Sequence, residues 1–415
     1  MGGSPPLQGD NLRTTIAGYL QRLGQVGSTA NGLWRQPYTP DYERAVAMVQ
    51  SWMSQRGLVV RIDDIGNVIG RVEGRNPHLK AVAVGSHLDT VKGGGNFDGA
   101  LGVVGGLVAV GNLVQSLGAP LRSVEVIGFI GEEGSRFPGG FLGSKWMAGA
   151  LGEAELRKTD EAGINVVQAM QACGYSACSA SSSPRTDLEC FIELHIEQGP
   201  VLETAGARLG VVLSIVGIRQ ALVTVKGRAD HAGTTPLGLR QDALLASAQM
   251  IVDMDETVRQ SGGQPVFTVG RLTTHPGATN VVAGDVTFTV DLRDPASDRL
   301  NGLYASLQET SRDVAEQKHV LVDWRETLAV QPVGCDPALT RVLAEAAREL
   351  GSEPLEVVSG AGHDALVAAS FSRIGMLFVP SRGGRSHCAE EYTTPEDCAL
   401  GTAVLAHALR KLAWE

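Results

Sequence analysis

The stretch AVAVGSHLDT (residues 81–90) decides how this chain folds. It opens with a compact apolar run, residues 81–85, which predicts a buried strand, and it continues directly into His87 and Asp89. In open α/β sheets, ligands gather beyond the carboxyl ends of the strands. The stretch therefore predicts both a strand and the edge of the sheet at which polar chemistry collects.

Three further apolar runs end in residues of the same chemical kinds. In chain order they are 123–130 followed by Glu132 and Glu133, 188–196 containing His195, and 376–379 followed by His387. Helical patterns alternate with these strands, which predicts an α/β fold with a mostly parallel sheet covered on both faces. A lone histidine is more often structural than a ligand, but four strand ends that carry such residues favour one common site.

A glycine-rich loop, GGGNFDG (residues 93–99), contributes Asp98 just before a predicted apolar helix at 99–117. Taken alone, Asp98 would be interpreted as a helix N-cap. Glu132 and Glu133 repel one another as neighbours, so a strand end carrying both is costly without a cation. Glycine is concentrated around these residues, with eight in residues 85–106 and six in residues 131–149. Because glycine has no side chain, this indicates that the backbone approaches the site closely.

Imidazole and carboxylate groups are the ligands of borderline divalent metals, and the absence of a thiolate cluster disfavours a structural zinc site. Five such ligands suit two metal ions that share one carboxylate. We therefore expect two divalent ions per subunit, with zinc, manganese, cobalt or nickel as the candidates.

The pattern changes between residues 217 and 329. The order of strands and helices there is β-α-β-β-α-β, which is typical of a ferredoxin-like α+β unit. The sequence thus predicts a discontinuous α/β domain, formed by 1–216 and 330–415, that is interrupted by an inserted domain at 217–329.

Composition excludes several classes of protein. The formal net charge of −10 argues against nonspecific binding of nucleic acid or anionic membranes. No run of 18 apolar residues and no signal peptide is visible, and the six cysteines show no CxxC spacing. These observations favour a cytoplasmic protein with reduced thiols.

Seven stretches, in order along the chain, resemble the peptidase M20 superfamily. They are GSHLDTVKGGGNFDGALGV (85–103), GEEGSRFPGGFLGS (131–144), ELHIEQGPVLE (193–203), DHAGTTP (230–236), TNVVAG (279–284), GAGHDA (360–365) and VPSRGGRSHCAEE (379–391). Within the superfamily, the chain resembles the branch of N-carbamoyl-L-amino acid hydrolases, allantoate amidohydrolases and β-ureidopropionases.

This resemblance implies a role for each matching residue. The implied metal ligands are His87, Asp98, Glu133, His195 and His387, with Asp98 bridging. Glu132 would be the general base that takes a proton from metal-bound water, whose hydroxide attacks the substrate, and passes that proton to the leaving nitrogen. Asp89 would hydrogen-bond His87 and fix its tautomer. His195 stands where the peptidase branches place a carboxylate, which favours the carbamoylase branch.

The resemblance implies that 1–216 and 330–415 form the catalytic domain and that 217–329 is a lid and dimerisation domain. It also implies a substrate site. His231 would reach the active site of a partner subunit in a homodimer and stabilise the oxyanion. The other implied substrate-binding residues are Gln198, Arg219, Asn280, Arg293 and Gly362. An arginine is suited to bidentate recognition of a carboxylate. The predicted partner is therefore a small carbamoyl or ureido acid.

The predicted function is hydrolysis of the carbamoyl or ureido C–N bond of N-carbamoyl-L-amino acids, allantoate or 3-ureidopropionate, with release of ammonia. The main alternative is an M20 aminopeptidase or dipeptidase with the same metals. A third hypothesis, a non-catalytic metal-stabilised binding protein, would require a damaged site, but the ligand types and the base are all present.

Overall fold

The computed structural model describes residues 10–175 and 183–415, so Cys178 lies outside the described part. The chain divides into two compact units. The first contains the described residues up to Leu213 together with Gly334–Glu415, and the second is Ser214–Val333. The predicted inserted segment, 217–329, lies inside the second unit.

A nine-stranded sheet forms the centre of the first unit, and its four middle strands are parallel. In spatial order these four are Arg373–Val379, Leu188–Ile196, Ala81–His87 and Val124–Phe129. The remaining strands of this sheet are Val59–Ile62, Val68–Val72, Gly210–Ile215, Val333–Gly334 and Leu355–Ser359. The predicted α/β class with a parallel central sheet is confirmed, with antiparallel strands added at the flanks.

Helices of very different length surround this sheet. In chain order they are Asp10–Leu23, Pro40–Gln55, Ala100–Leu117, Leu142–Met147, Glu153–Leu156, Val166–Ala172, Val201–Ala205, Pro337–Glu349, Asp364–Ala368 and Pro395–Leu409. Short helical turns lie at Arg382–Gly384 and Arg410–Trp414, and a two-residue hairpin pairs Ser28–Thr29 with Gly32–Leu33. Several of the short helices lie in glycine-rich or polar segments that gave no periodic apolar signal.

The helix Ala100–Leu117 is the core helix of the first unit. Its length and its mean hydropathy of 1.7 would allow it to cross a membrane, but 72% of it is buried inside the protein. It packs against the helix Pro395–Leu409 and against the central strands. Burial within the unit therefore accounts for its apolar composition.

Alternation along the strand Leu188–Ile196 separates the core from the site. Leu194 packs toward the helices, where its side chain lies close to Gly105 and Gly401. The next residue, His195, points to the opposite face and stacks edge-on against His363. One face of the parallel strands thus builds the core, and the other carries polar side chains.

The second unit is a five-stranded antiparallel sheet with two long helices. Its elements in chain order are the strand Gly217–Lys226, the helix Ala243–Gln260, the strands Val266–Thr268, Leu272–His275 and Asp285–Asp294, the helix Ser297–Lys318 and the strand Leu321–Val330. This is the predicted β-α-β-β-α-β order, with the second strand present as two short pieces.

Candidate metal centre

The carboxyl ends of the four parallel strands bring the predicted metal ligands together. His87 is the last residue of its strand and His195 is the last but one of its own. Both imidazoles are buried, with His87 only 2% and His195 only 1% exposed. The strand ends Phe129 and Val379 lead into the turns that carry the other acidic and imidazole groups.

One oxygen of Asp98 faces two histidines. Oδ1 of Asp98 lies 3.2 Å from Nε2 of His87 and 3.2 Å from Nε2 of His195. Asp98 itself is only 4% exposed, although it comes from the loop before the core helix. These three ligand atoms lie within 4.8 Å of one another, which makes them a group that could hold one metal ion.

The other oxygen of Asp98 faces a second group. Oδ2 of Asp98 lies 3.5 Å from Nε2 of His387, and that same nitrogen lies 3.4 Å from Oε2 of Glu133. The ligand atoms of this group also lie within 4.8 Å of one another. The carboxylate of Asp98 is therefore shared by two groups, as a bridging ligand between two ions would be.

The ring orientation of both buried histidines suits metal binding. Nδ1 of His87 lies 3.0 Å from the carbonyl oxygen of Asp89, and Nδ1 of His195 lies 2.9 Å from that of Ile196. Since a carbonyl oxygen only accepts, each Nδ1 carries a proton, so Nε2 is the nitrogen that can present a lone pair to a metal ion once it is deprotonated. The backbone N–H of Gly99 donates to Nε2 of His195 at 3.0 Å, in agreement with this tautomer.

Asp89 contacts His87 through its backbone carbonyl rather than through its carboxylate. Its carboxylate Oδ1 is 3.9 Å from Nδ1 of His87, too far for a hydrogen bond, and the carbonyl oxygen takes that place. The carboxylate instead accepts from the backbone N–H groups of Gly131, Glu132 and Glu133, at 2.9, 3.1 and 3.2 Å. Asp89 thus shapes the turn that carries both glutamates.

Glu132 lies beside the first ligand group without belonging to it. Its Oε2 is 3.9 Å from Nε2 of His87, and the residue is only 8% exposed. Burial raises the pKa of Glu132 well above its ordinary value, His87 opposes this, and the neighbouring charge of Glu133 adds to it. A carboxylate in this setting takes up a proton more readily than an exposed one, as a general base must.

Gln198 contacts the second ligand group. Its Nε2 donates to Oδ2 of Asp98 at 2.7 Å and lies 3.4 Å from Nε2 of His387. The amide oxygen Oε1 is buried and has no hydrogen-bond partner among the described residues. Both Gln198 and His387 have left-handed backbone conformations, with φ of 60° and 56°. Such strain in non-glycine residues is common at functional sites, and the orphan oxygen suits a site that takes a further group.

Two predicted residues of the second unit lie together. The backbone of His231 forms an isolated bridge with Val281, and Ala232 N donates to the carbonyl oxygen of Asn280 at 3.0 Å. The side chain of His231 is exposed, and its Nδ1 accepts from the N–H groups of Gly233 and Thr234 at 3.0 and 3.2 Å. Nδ1 therefore lacks a proton and Nε2 carries one, which leaves Nε2–H as an outward donor.

The two predicted arginines already have acidic neighbours within the second unit. Arg219 forms an ion pair with Glu326 at 2.5 Å and stacks over the ring of Tyr304, 4.2 Å from its centroid. Arg293 donates to both oxygens of Asp291, at 2.8 and 3.1 Å. The prediction did not include either ion pair, and each substrate role would have to work beside a neutralising carboxylate.

The GAGHDA segment packs behind the first ligand group. A Cβ atom on Gly362 would lie 2.9 Å from the ring of Phe141, so glycine allows the close approach there. His363 is buried with its Nε2 2.8 Å from Oγ of Ser359, and its ring contacts His195 at a centroid distance of 4.6 Å. Burial lowers the pKa of His363 well below its ordinary value, which keeps the ring neutral.

Sequence reasoning gave no role to Glu193, although it lies within the ELHIEQG stretch. Its two oxygens accept from Oγ of Ser86 at 2.6 Å and from the backbone N–H of Ala365 at 2.9 Å. Glu193 is fully buried and joins three elements behind His195. A charged residue within an otherwise apolar strand, two positions before His195, was the signal that could have revealed it.

The chain belongs to the Peptidase family M20/M25/M40, whose profile matches residues 83–411. This confirms the predicted superfamily, and it makes the protein a metal-dependent hydrolase, in agreement with the ligand groups around Asp98.

Relatives of this chain include carbamoyl amino acid and allantoate amidohydrolases. The chain is 41% identical to an N-carbamoyl-L-amino-acid amidohydrolase of Paenarthrobacter aurescens, over 95% of this chain and 96% of the relative. It is 37% identical to an allantoate amidohydrolase of Bacillus subtilis, over 97% and 98% of the two chains. The crystal structure of a hydantoinase/carbamoylase-family amidase from Burkholderia multivorans superposes with a TM-score of 0.92 at 33% identity, covering 97% of this chain and 98% of that one.

Proposed function

We propose that this protein is a two-metal amidohydrolase that cleaves the carbamoyl or ureido C–N bond of N-carbamoyl-L-amino acids or related ureido acids and releases ammonia. The observation that carries this proposal is the carboxylate of Asp98, whose two oxygens face two separate ligand groups. The names of the relatives at 41% and 37% identity support the substrate class. Allantoate and 3-ureidopropionate belong to the same class of ureido acid.

The residues around Asp98 fit two divalent ions of the borderline class, such as Zn²⁺, Mn²⁺, Co²⁺ or Ni²⁺. One ion would be held by His87, His195 and Asp98, and the other by Asp98, Glu133 and His387. When bound, such ions polarise a carbonyl oxygen and make water a stronger nucleophile near neutral pH. This matters for a ureido carbonyl, because two nitrogens donate electrons into it.

Glu132 would carry the proton in this reaction. It would accept a proton from the attacking water as the new C–O bond forms, and give it to the leaving nitrogen as the C–N bond breaks, so that ammonia departs. The remaining carbamic acid would then lose carbon dioxide and leave the amine. Its burial and its 3.9 Å separation from His87 support a role beside the reacting centre rather than within the ligand set. The three N–H donors on Asp89 would hold the turn that orients Glu132.

The second unit would supply substrate contacts and the dimer. In this proposal His231 uses its Nε2–H to stabilise the developing oxyanion in the active site of a partner subunit. The remaining substrate contacts would come from Arg219, Asn280 and Arg293 of the second unit and from Gln198 and Gly362 of the first. The second unit would act as a lid and as the dimerisation surface, and we expect the enzyme to work in the cytoplasm on a small acid.

Ammonia release tests this proposal. The purified protein is stripped of metal, reloaded separately with Mn²⁺, Co²⁺, Ni²⁺ or Zn²⁺, and given N-carbamoyl-L-amino acids, allantoate and 3-ureidopropionate. We expect ammonia from at least one of them, and none after chelation. An absence of ammonia from every substrate with every metal would refute the proposal.

A further inference from the structure

The buried carboxylate of Glu391 joins two segments that carry metal ligands. Its Oε1 accepts from the backbone N–H groups of Phe97 at 2.8 Å and Asp98 at 3.0 Å. Its Oε2 accepts from Oγ of Ser386 at 2.8 Å, one residue before His387. Glu391 is only 5% exposed, so these contacts form away from bulk solvent.

Ser386 extends this connection to the bridging carboxylate itself. Its Oγ lies 2.7 Å from Oδ2 of Asp98 as well as 2.8 Å from Oε2 of Glu391. A hydroxyl has one hydrogen and so donates to one carboxylate at a time. Ser386 therefore lies between the two carboxylates and fixes the side of Asp98 that faces His387. We call Glu391, Ser386 and the two N–H groups of residues 97 and 98 the carboxylate clasp.

The glycine loop is shaped to accept Glu391. A Cβ atom on Gly95 would lie 2.3 Å from Cβ of Glu391 and 2.4 Å from its Oε1, closer than real Cβ contacts come. Glycine at this position therefore lets the loop backbone rest directly on the glutamate. The close fit indicates that the loop and the glutamate form one unit of structure.

The segment that carries Glu391 has further bonds of its own. Arg382 N donates to the carbonyl oxygen of Tyr392 at 2.9 Å, and Oγ1 of Thr393 donates to that of Pro380 at 2.9 Å. These two bonds join the two ends of the segment, residues 380–393, without involving the side chain of Glu391. Loss of the glutamate carboxylate should therefore release the clasp while the rest of the segment keeps its fold.

We propose that Glu391 is a positioning residue that, together with Ser386, holds Asp98 and His387 in the mutual arrangement needed to bind the second metal ion. Glu391 acts through the backbone of Asp98 and the hydroxyl of Ser386 rather than by contact with substrate. The proposal rests on the two-metal function proposed above, and it gives a specific reason why Asp98 and His387, which are far apart in the sequence, meet in one ligand group.

Metal binding tests this role directly. Metal-free wild-type, Glu391→Gln and Glu391→Asp proteins are titrated with Mn²⁺, and free Mn²⁺ is followed by electron paramagnetic resonance. Loss of a partner behind a metal ligand typically weakens metal affinity by about 10- to 100-fold. We expect that loss at one of two sites in Glu391→Gln, with normal binding at the other. Glu391→Asp should lie between it and wild type, because the shorter carboxylate reaches the clasp only in part.

Thr393→Val is the matched control, since it removes one hydrogen bond from the same segment and leaves the clasp intact. It should bind both ions with wild-type affinity. Ser386→Ala provides a second test, and it leaves every buried charge in place. Its affinity for one of the two ions should fall, as in Glu391→Gln. If Glu391→Gln does not fold, as judged by circular dichroism, Ser386→Ala decides the question.

The possible failures are distinguishable. Wild-type affinity for both ions in Glu391→Gln or Ser386→Ala would overturn the positioning role while leaving the two-metal function intact. An equal loss of affinity in Thr393→Val would also overturn it, because any disturbance of the segment would then suffice. A wild-type protein that binds fewer than two ions would instead contradict the proposed function.

Discussion

Oδ1 of Asp98 lies 3.2 Å from Nε2 of His195, although the two residues come from a glycine loop and from a central strand. The imidazole is held in place from behind, because its Nδ1 donates to the carbonyl oxygen of Ile196. In the two-metal proposal, His195 would present this positioned nitrogen to an ion that Asp98 also holds. Loss of either residue should therefore weaken metal binding.

Replacement of His195 by alanine should remove one metal ion per subunit and reduce kcat by at least about 100-fold, because a positioned ligand is lost from the site. Metal content after dialysis, measured by plasma mass spectrometry, checks this. His407→Ala is the matched control, since His407 pairs only with the surface carboxylate of Glu349 among the described residues. Two tightly bound ions in His195→Ala would contradict the ligand assignment.

Glu132→Gln should keep both metal ions and lose turnover by about 100- to 10,000-fold, the usual contribution of a positioned general base. The amide has nearly the same shape, so substrate binding should change little. Metal content and steady-state ammonia release are measured on the same preparation. A rate near that of wild type would show that another group moves the proton.

Asp89→Asn should lower the stability of the protein by about 1–3 kcal/mol, because an amide cannot accept as well from three backbone N–H groups. The turn that carries Glu132 should shift at the same time, so kcat should fall even where the protein remains folded. Thermal unfolding of the metal-loaded protein and kcat at 25 °C check the two parts. Unchanged stability together with unchanged kcat would exclude a role for this carboxylate.

Metal binding should release protons and should strengthen as pH rises. Burial lowers the pKa of His87, but its contact with Asp98 and the surrounding carboxylates more than offset this and raise it well above the ordinary value. Burial and the charge of Asp98 likewise raise the pKa of Glu133. Both groups therefore bind protons more tightly than usual in the metal-free protein, and both must lose them to bind metal.

Calorimetric titration with Zn²⁺ in two buffers of different ionisation enthalpy measures this proton release. The apparent affinity should decrease as pH falls through the range in which these two groups take up protons. Affinity that is independent of pH, with equal heats in the two buffers, would mean that neither group is protonated before binding.

His231→Ala should reduce kcat by about 100- to 1,000-fold, the usual cost of losing one donor to an oxyanion. If the donor comes from a partner subunit, mixing His231→Ala with inactive Glu132→Gln should restore activity. A 1:1 mixture that exchanges subunits fully should reach about a quarter of the wild-type rate, because half of the dimers are hybrid and each hybrid has one complete site. No recovery, with hybrids demonstrated by native mass spectrometry, would contradict the shared site.

The sequence predicted those features that depend on residues close together in the chain. The strand that ends at His87 and the element order of the second unit follow from apolar patterning and turn residues. The contacts of Glu391 with residues 97 and 98 could not be predicted, because no local pattern links positions almost 300 residues apart. The ion pair of Arg219 with Glu326 also joins residues distant in the sequence, and it depends on which strands are neighbours in the sheet.

The most direct test of the account compares two substrate classes on one metal-loaded preparation. Values of kcat/KM are measured for an N-carbamoyl-L-amino acid, allantoate and 3-ureidopropionate by ammonia release, and for dipeptides by amino acid release. The account predicts ammonia from at least one ureido acid, with dipeptide cleavage at least about 100-fold less efficient, a difference of about 2.7 kcal/mol in transition-state binding. Efficient dipeptide cleavage without ammonia release would contradict the central claim.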